Sequence, residues 1–220
     1  MISDNIKRYK SELPPGVRLV AVSKYHTIRQ IEEAYTAGQR LFGESRVQEL
    51  LPKQNHLPAD IEWHFIGHLQ TNKVKYIAPF VSLIHSVDSF GLLKEINRQA
   101  AKSNRTIDCL LQMHIANEDT KYGFSFGELR NMLACNEWKE LKNSRICGLM
   151  GMASLTEDKA QIRNEFASLN AFFQELKNGI FNDCPEFTEL SMGMSDDYLI
   201  AIESGSTLVR IGSGVFNEKA

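Results

Sequence analysis

The residues best suited to chemistry begin with Lys24, which ends the apolar run Val20-Ala21-Val22-Ser23. A desolvated ammonium loses its proton more readily, and the neutral amine attacks aldehydes to form Schiff bases. The alternative is a lysine that has left the apolar run and sits in water; position alone favours neither. Two later segments supply anion chemistry. Met192-Gly193-Met194-Ser195-Asp196-Asp197 joins a glycine that permits close backbone approach to a serine able to cap a following helix. Arg210-Ile211-Gly212-Ser213-Gly214 offers small residues whose amides can cup a dianion. Taken singly, each fits a tight turn or a helix start equally well. An amine together with an anion cup suits a phosphorylated aldehyde, and pyridoxal 5'-phosphate (PLP) is the familiar cofactor of that kind.

Other candidate residues read as structural. His64 and His68 are four apart, but Trp63-His64-Phe65-Ile66-Gly67-His68 has the character of a strand and its end, so no helical zinc pair is expected. His64 should pack within the strand and His68 should sit at the polar mouth beyond it. His85 and His114 read as strand histidines with structural roles. Asp88, Asn117 and Asp119 fall on loops, where they serve equally well as site residues or as turns and caps. Met150, Met152, Met192 and Met194 read as core filler. Cys109, Cys135, Cys147 and Cys184 lie far apart without a CxxC pair, which predicts reduced thiols in a cytoplasmic protein.

Positioning such residues requires a frame, and the chain alternates between two patterns. Near-continuous apolar runs recur at 18–23, 40–42, 61–66, 82–87, 108–115, 145–150, 189–192 and 207–211, as parallel strands buried on both faces require. Between them, Ile28, Ile31 and Tyr35 share a helical face after a Thr27/Gln30 capping box; Phe90, Leu93, Ile96 and Ala100 repeat the spacing. Ile162, Phe166, Leu169, Phe173 and Leu176 mark a longer helix with Thr156 as its expected cap, Ser125 and Glu128 form another capping box, and residues 4–12 form an extra helix. Eight strands with helical partners in 220 residues predict one (β/α)8 barrel domain over residues 1–220. An open doubly wound sheet is the alternative, although no GxGxxG follows the first strand. In a barrel, chemistry sits at the C-terminal strand ends and phosphate is held after strands seven and eight. Lys24 and the two glycine segments occupy those places. The net charge of -2 and the interspersed charges exclude a nucleic-acid or membrane-surface binder, and the polar start Met1-Ile2-Ser3-Asp4-Asn5 is unlike a secretory signal.

The chain resembles the pyridoxal phosphate homeostasis proteins, relatives of the alanine racemase barrel domain. The resemblance rests on LVAVSK (19–24), AGQRLFGESRVQE (37–49), IEWHFIGHLQTNKVKY (61–76), HSVDSF (85–90), GLMGMA (148–153) and LSMGMSDDYLIAIESGSTLVRIGSGVF (190–216), and so spans nearly the whole chain. It implies that Lys24 holds PLP as an internal aldimine. Ser195, Gly212 and Ser213 would surround the phosphate, Arg210 would approach the pyridine nitrogen, and Ser45 and Met192 would complete the cofactor-binding set. Three departures from the family pattern keep small or polar character: Ser45 replaces the usual Asn, Tyr25-His26 replaces Thr-Lys, and Gly212-Ser213-Gly214 replaces Gly-Thr-Ala. An arginine at the ring nitrogen leaves the ring a poorer electron sink than a carboxylate would. The chain also ends four residues after Phe216, without the C-terminal β domain of the racemases. The resemblance therefore implies a monomeric carrier involved in PLP homeostasis, supplying PLP-dependent apoenzymes without committed turnover. A PLP-dependent racemase or decarboxylase is the first alternative. A Schiff-base aldolase acting on a phosphorylated sugar is the second.

Overall fold

The computed structural model describes residues 1–117 and 122–216. Its strands are β1 (Arg18–Val22), β2 (Leu41–Glu44), β3 (Glu62–Phe65), β4 (Leu83–Val87), β5 (Ile107–Met113), β6 (Ser144–Gly151), β7 (Glu189–Ser191) and β8 (Leu208–Ile211). They pair in parallel in chain order, and β8 returns to β1 through pairs such as Leu19 with Val209, closing the barrel. The helices are α1 (Ile2–Glu12), α2 (Ile28–Thr36), α3 (Val47–His56), α4 (Val74–Ile77), α5 (Phe90–Lys102), α6 (Phe126–Ala134), α7 (Lys159–Asn178), α8 (Tyr198–Glu203) and α9 (Ser213–Phe216). The expected (β/α)8 architecture is therefore the observed one. Among the described residues no helix is long and apolar enough to cross a membrane.

Alternation along each strand sorts the apolar residues into two layers. Val20, Leu83, Leu110, Cys147, Met150 and Leu208 form a compact cluster inside the barrel. Their neighbours Leu19, Ala21, Ile84, Cys109, Leu111, Leu149 and Val209 face outward into the larger core beneath the helices. Both expected capping boxes are present, at Thr27/Gln30 and Ser125/Glu128. The α7 cap differs from expectation. Asp158, not Thr156, accepts the N–H groups of Ala160 (2.9 Å) and Gln161 (3.1 Å), while the Thr156 hydroxyl accepts the N–H of Asp158. Thr156 is spent on the turn that delivers the cap.

One glycine is indispensable to the sheet. Opposite the step from Cys109 to Leu110, β6 runs from Ile146 to Gly148 and so carries an extra residue, Cys147. The bulge turns both Cys147 and Met150 inward. It also brings Gly148, at φ +158°, against the Glu189 carbonyl, where a Cβ would overlap the oxygen. Gly148→Ala should therefore cost about 3 kcal/mol, lowering Tm by about 6–12 °C for a chain of this size. A Tm within about 2 °C of the parent's by calorimetry would show that the strands accommodate the methyl group.

Candidate functional site

A cavity of about 580 Å3 opens at the C-terminal strand ends. It brings together Lys24 after β1, Ser45 after β2, Ser195 after β7, and Arg210, Gly212 and Ser213 from the end of β8. Six of the seven residues expected to bind a cofactor thus meet in one place. Met192 does not join them. Ser191, the last residue of β7, points into the barrel, and Met192 just beyond it continues the alternation and packs fully buried in the outer core. Met150 is core filler as expected, but Met152 and Met194 line the cavity.

The segment carrying Lys24 is held from below by buried charge. Lys53, one turn before the end of α3, donates to the Ser23 carbonyl (2.8 Å) and to the Glu44 carboxylate (2.7 Å). The Ser23 hydroxyl donates to the same carboxylate oxygen at 2.6 Å. Glu44 is fully buried, and its second oxygen has no partner among the described residues. Beyond Lys24, Tyr25 adopts the left-handed φ of +67°, which costs a side-chain-bearing residue roughly 1 kcal/mol. That turn is secured by the Tyr25 N–H, which donates to Glu49 at 2.9 Å, and by the His26 N–H, which donates to the Ser23 carbonyl at 3.1 Å. The Lys24 side chain lines the cavity and remains exposed to water. The lysine has thus not left the barrel mouth: its amine stands in the cavity, open to whatever enters it. Nothing in sequence spacing singled out Glu44, Glu49 and Lys53; the first two lie in the segment 37–49, while a lysine on a helix reads as solvated.

The far end of the cavity is built for an anion. Gly193 has φ +94°, and a Cβ there would lie 2.6 Å from that of Ala201. This turn carries the chain past β7 to Ser195, whose hydroxyl lies 3.1 Å from that of Ser213. Ser195 is not the α8 cap expected of it: the N-cap is Asp197, whose carboxylate accepts the Met194 N–H at 2.5 Å. Burial raises the Asp197 carboxyl above the usual carboxylate range. Gly212 and Ser213 open α9, whose first amides have no intrahelical acceptor.

Arg210 forms the floor. Its Nη1 donates to the Ser191 carbonyl (3.0 Å) and hydroxyl (2.6 Å), and its Nη2 donates to the Gly151 carbonyl (3.2 Å). Burial lowers its pKa to about 10, so the guanidinium stays charged at neutral pH. Ser45 Oγ is buried without a hydrogen-bond partner among the described residues. An amine, an orphaned hydroxyl, a buried cation and an anion cup within one cavity fit a phosphorylated aromatic aldehyde.

The remaining candidates fall elsewhere. His64 is buried inside the barrel, whereas His68 sits at the mouth, 3.1 Å from Asp88 and stacked on Tyr122, so the two histidines diverge. The Asn117 N–H donates to Ser154 Oγ at 2.9 Å, and the His114 N–H donates to the Phe124 carbonyl. Asp119 lies outside the described residues.

Fold and site together define a barrel of the alanine racemase N-terminal domain class, and the family model for that domain matches residues 1–219. Among curated proteins, the pyridoxal phosphate homeostasis protein of Synechocystis sp. is 40% identical over 209 residues, covering 94% of either chain. That of Aquifex aeolicus is 40% identical over 203 residues, 92% of this chain and 87% of its own. The chain belongs to the pyridoxal phosphate homeostasis protein family. PipY of Synechococcus elongatus, solved with PLP bound, superimposes with a TM-score of 0.88 at 38% identity over 99% of this chain and 100% of its own. The alanine racemase of Streptomyces coelicolor shares the fold alone, with a TM-score of 0.79 at 17% identity over 99% of this chain and 58% of its own.

The buried pair beneath Lys24 gives a pH-dependent expectation. Burial raises the Glu44 carboxyl while Lys53 opposes the shift. A raised carboxyl favours folding at low pH and opposes it as pH climbs through the folded value. With the ammonium removed, that penalty stands unopposed. Lys53→Met should be about 3 kcal/mol less stable at about pH 7, with a deficit that shrinks towards about pH 5 as Glu44 takes up its proton. Urea denaturation across this range checks it; a deficit that does not change with pH would contradict the account.

Proposed function

We propose that this protein binds PLP at the barrel mouth, attached to Lys24 Nζ, and serves intracellular PLP homeostasis by holding the cofactor and supplying it to PLP-dependent apoenzymes in the cytoplasm. The observation that carries the reading is the convergence of Lys24, Ser45, Ser195, Arg210, Gly212 and Ser213 on one cavity. The name of the curated relatives and the PLP found in the PipY structure support it. When bound, PLP supplies an aldehyde that condenses with a primary amine, releasing water, and a ring that draws electrons from the joined carbon.

The residues divide the task. Ser195, Ser213 and the first α9 amides take the phosphate, and the orphaned Ser45 hydroxyl gains a partner in the ligand. Arg210 presents its unused N–H groups to the ring nitrogen. A guanidinium donates a hydrogen bond there while keeping its proton, which leaves the ring nitrogen unprotonated. Removal of an α-proton from a bound amino acid is then poorly stabilised. Each 1.4 kcal/mol withheld from that step costs roughly tenfold in rate. The proposal is therefore of a carrier without committed turnover, acting as a monomer.

Borohydride reduction of the PLP-loaded protein, followed by peptide mass spectrometry, is the direct test. One phosphopyridoxyl group per chain should appear on Lys24, and Lys24→Ala should lose the visible absorption band while keeping the parent's Tm. Labelling at Lys53, Lys73 or Lys75 would overturn the assignment.

A further inference from the structure

Arg210 is the upper end of a polar chain that runs through the barrel interior. Its Nη1 is 2.6 Å from Ser191 Oγ, Ser191 Oγ is 3.0 Å from His85 Nδ1, and His85 Nε2 is 3.0 Å from His64 Nδ1. The four side chains come from β8, β7, β4 and β3, and none is more than 4% exposed. At the opposite end His64 reaches a polar pocket of about 200 Å3, shared with Arg18, Glu62, Asp108, Arg145 and Glu189. The sequence marks His85 as a strand histidine with a structural role. A packing role leaves unexplained why its two ring nitrogens are both engaged in a region otherwise filled by Val20, Leu83, Leu110 and Leu208.

Burial drives both imidazoles towards the neutral form, His64 to about 3 and His85 well below its ordinary value. Each ring then carries one proton. The arrangement that gives the Ser191 hydroxyl proton an acceptor within this chain of side chains runs in one direction. Arg210 donates to Ser191, the Ser191 hydroxyl donates to His85 Nδ1, and His85 Nε2–H donates to His64 Nδ1. With Ser191 Oγ oriented in this way its lone pairs face the guanidinium. The chain contains no carboxylate, so it aims Arg210 without neutralising it. The Asp197 charge acts on Arg210 only through space.

We propose that His85 is a positioning residue for the cofactor: through Ser191 it fixes the Arg210 guanidinium against the ring nitrogen and so keeps that nitrogen unprotonated. The inference rests on the PLP reading of the cavity. It adds that the electronic state of the bound ring is set from the barrel interior, by a residue on the far side of the barrel from Lys24.

The test uses PLP labelled with 15N at the ring nitrogen, loaded onto the full chain and its variants, with borohydride trapping to confirm attachment at Lys24. In the parent, the 15N resonance should stay at its unprotonated position across the neutral range. In His85→Phe, which removes the acceptor for the Ser191 hydroxyl, the protonation midpoint should rise by about one pH unit, a tenfold gain in proton affinity. His85→Asn places an amide oxygen near the former Nδ1 and should return the midpoint towards the parent's. Should His85→Phe fail to fold, Ser191→Ala deletes only the linking hydroxyl and should show the same rise. Identical midpoints in the parent and every loaded variant would overturn the inference and leave the PLP site standing. A parent chain that traps no cofactor at Lys24 would remove the site reading and this inference with it.

Discussion

Enclosing a guanidinium inside a barrel of parallel strands constrains everything around it. Arg210 is almost fully buried, and a cation so placed is tolerable only when its donors are met. The barrel supplies those partners from strands rather than loops: two from Ser191 on β7 and one from Gly151 at the end of β6. Both are neutral. A carboxylate partner would have stabilised the charge more cheaply, but would have cancelled the field that the cavity receives. The arrangement holds a full positive charge at the floor of the site and leaves its remaining donors for whatever lies above.

A second buried charge performs the complementary task for Lys24. The lysine is exposed, so its own surroundings do not fix it; its backbone does. Lys53 and Glu44 meet beneath β1 and β2 and share Ser23 between them, while Glu49 secures the left-handed turn at Tyr25. Both carboxylates and the ammonium come from β2 and α3, the unit that follows the lysine in sequence. The Lys24 side and the Arg210 side of the cavity are thus positioned independently, one by an ion pair under the sheet and the other by hydrogen bonds inside it.

The barrel was legible because parallel strands buried on both faces leave continuous apolar runs, and each expected run overlaps an observed strand. Lys24 and the small residues of 193–195 and 212–213 were legible because a barrel places strand ends on one face. What escaped notice depends on contacts between distant segments. His85 meets Ser191 across 106 positions, and nothing in a local pattern separates that histidine from packing. Lys53 lies on a helix that contains Pro52, whose weak apolar stripe gives no reason to expect burial. Met192 was placed at the site by resemblance, which transfers a position without telling which way its side chain points; strand alternation sends it to the core.

The central claim is that the chain holds PLP while suppressing its chemistry on amino acids. The most direct test incubates the PLP-loaded protein with a panel of L-amino acids in deuterated water and follows the α-carbon by mass spectrometry. The account predicts at most about one deuterium per bound cofactor over hours, because a ring held unprotonated by Arg210 would stabilise loss of the α-proton poorly. Steady incorporation over many turnovers per site would contradict it and make the protein an enzyme.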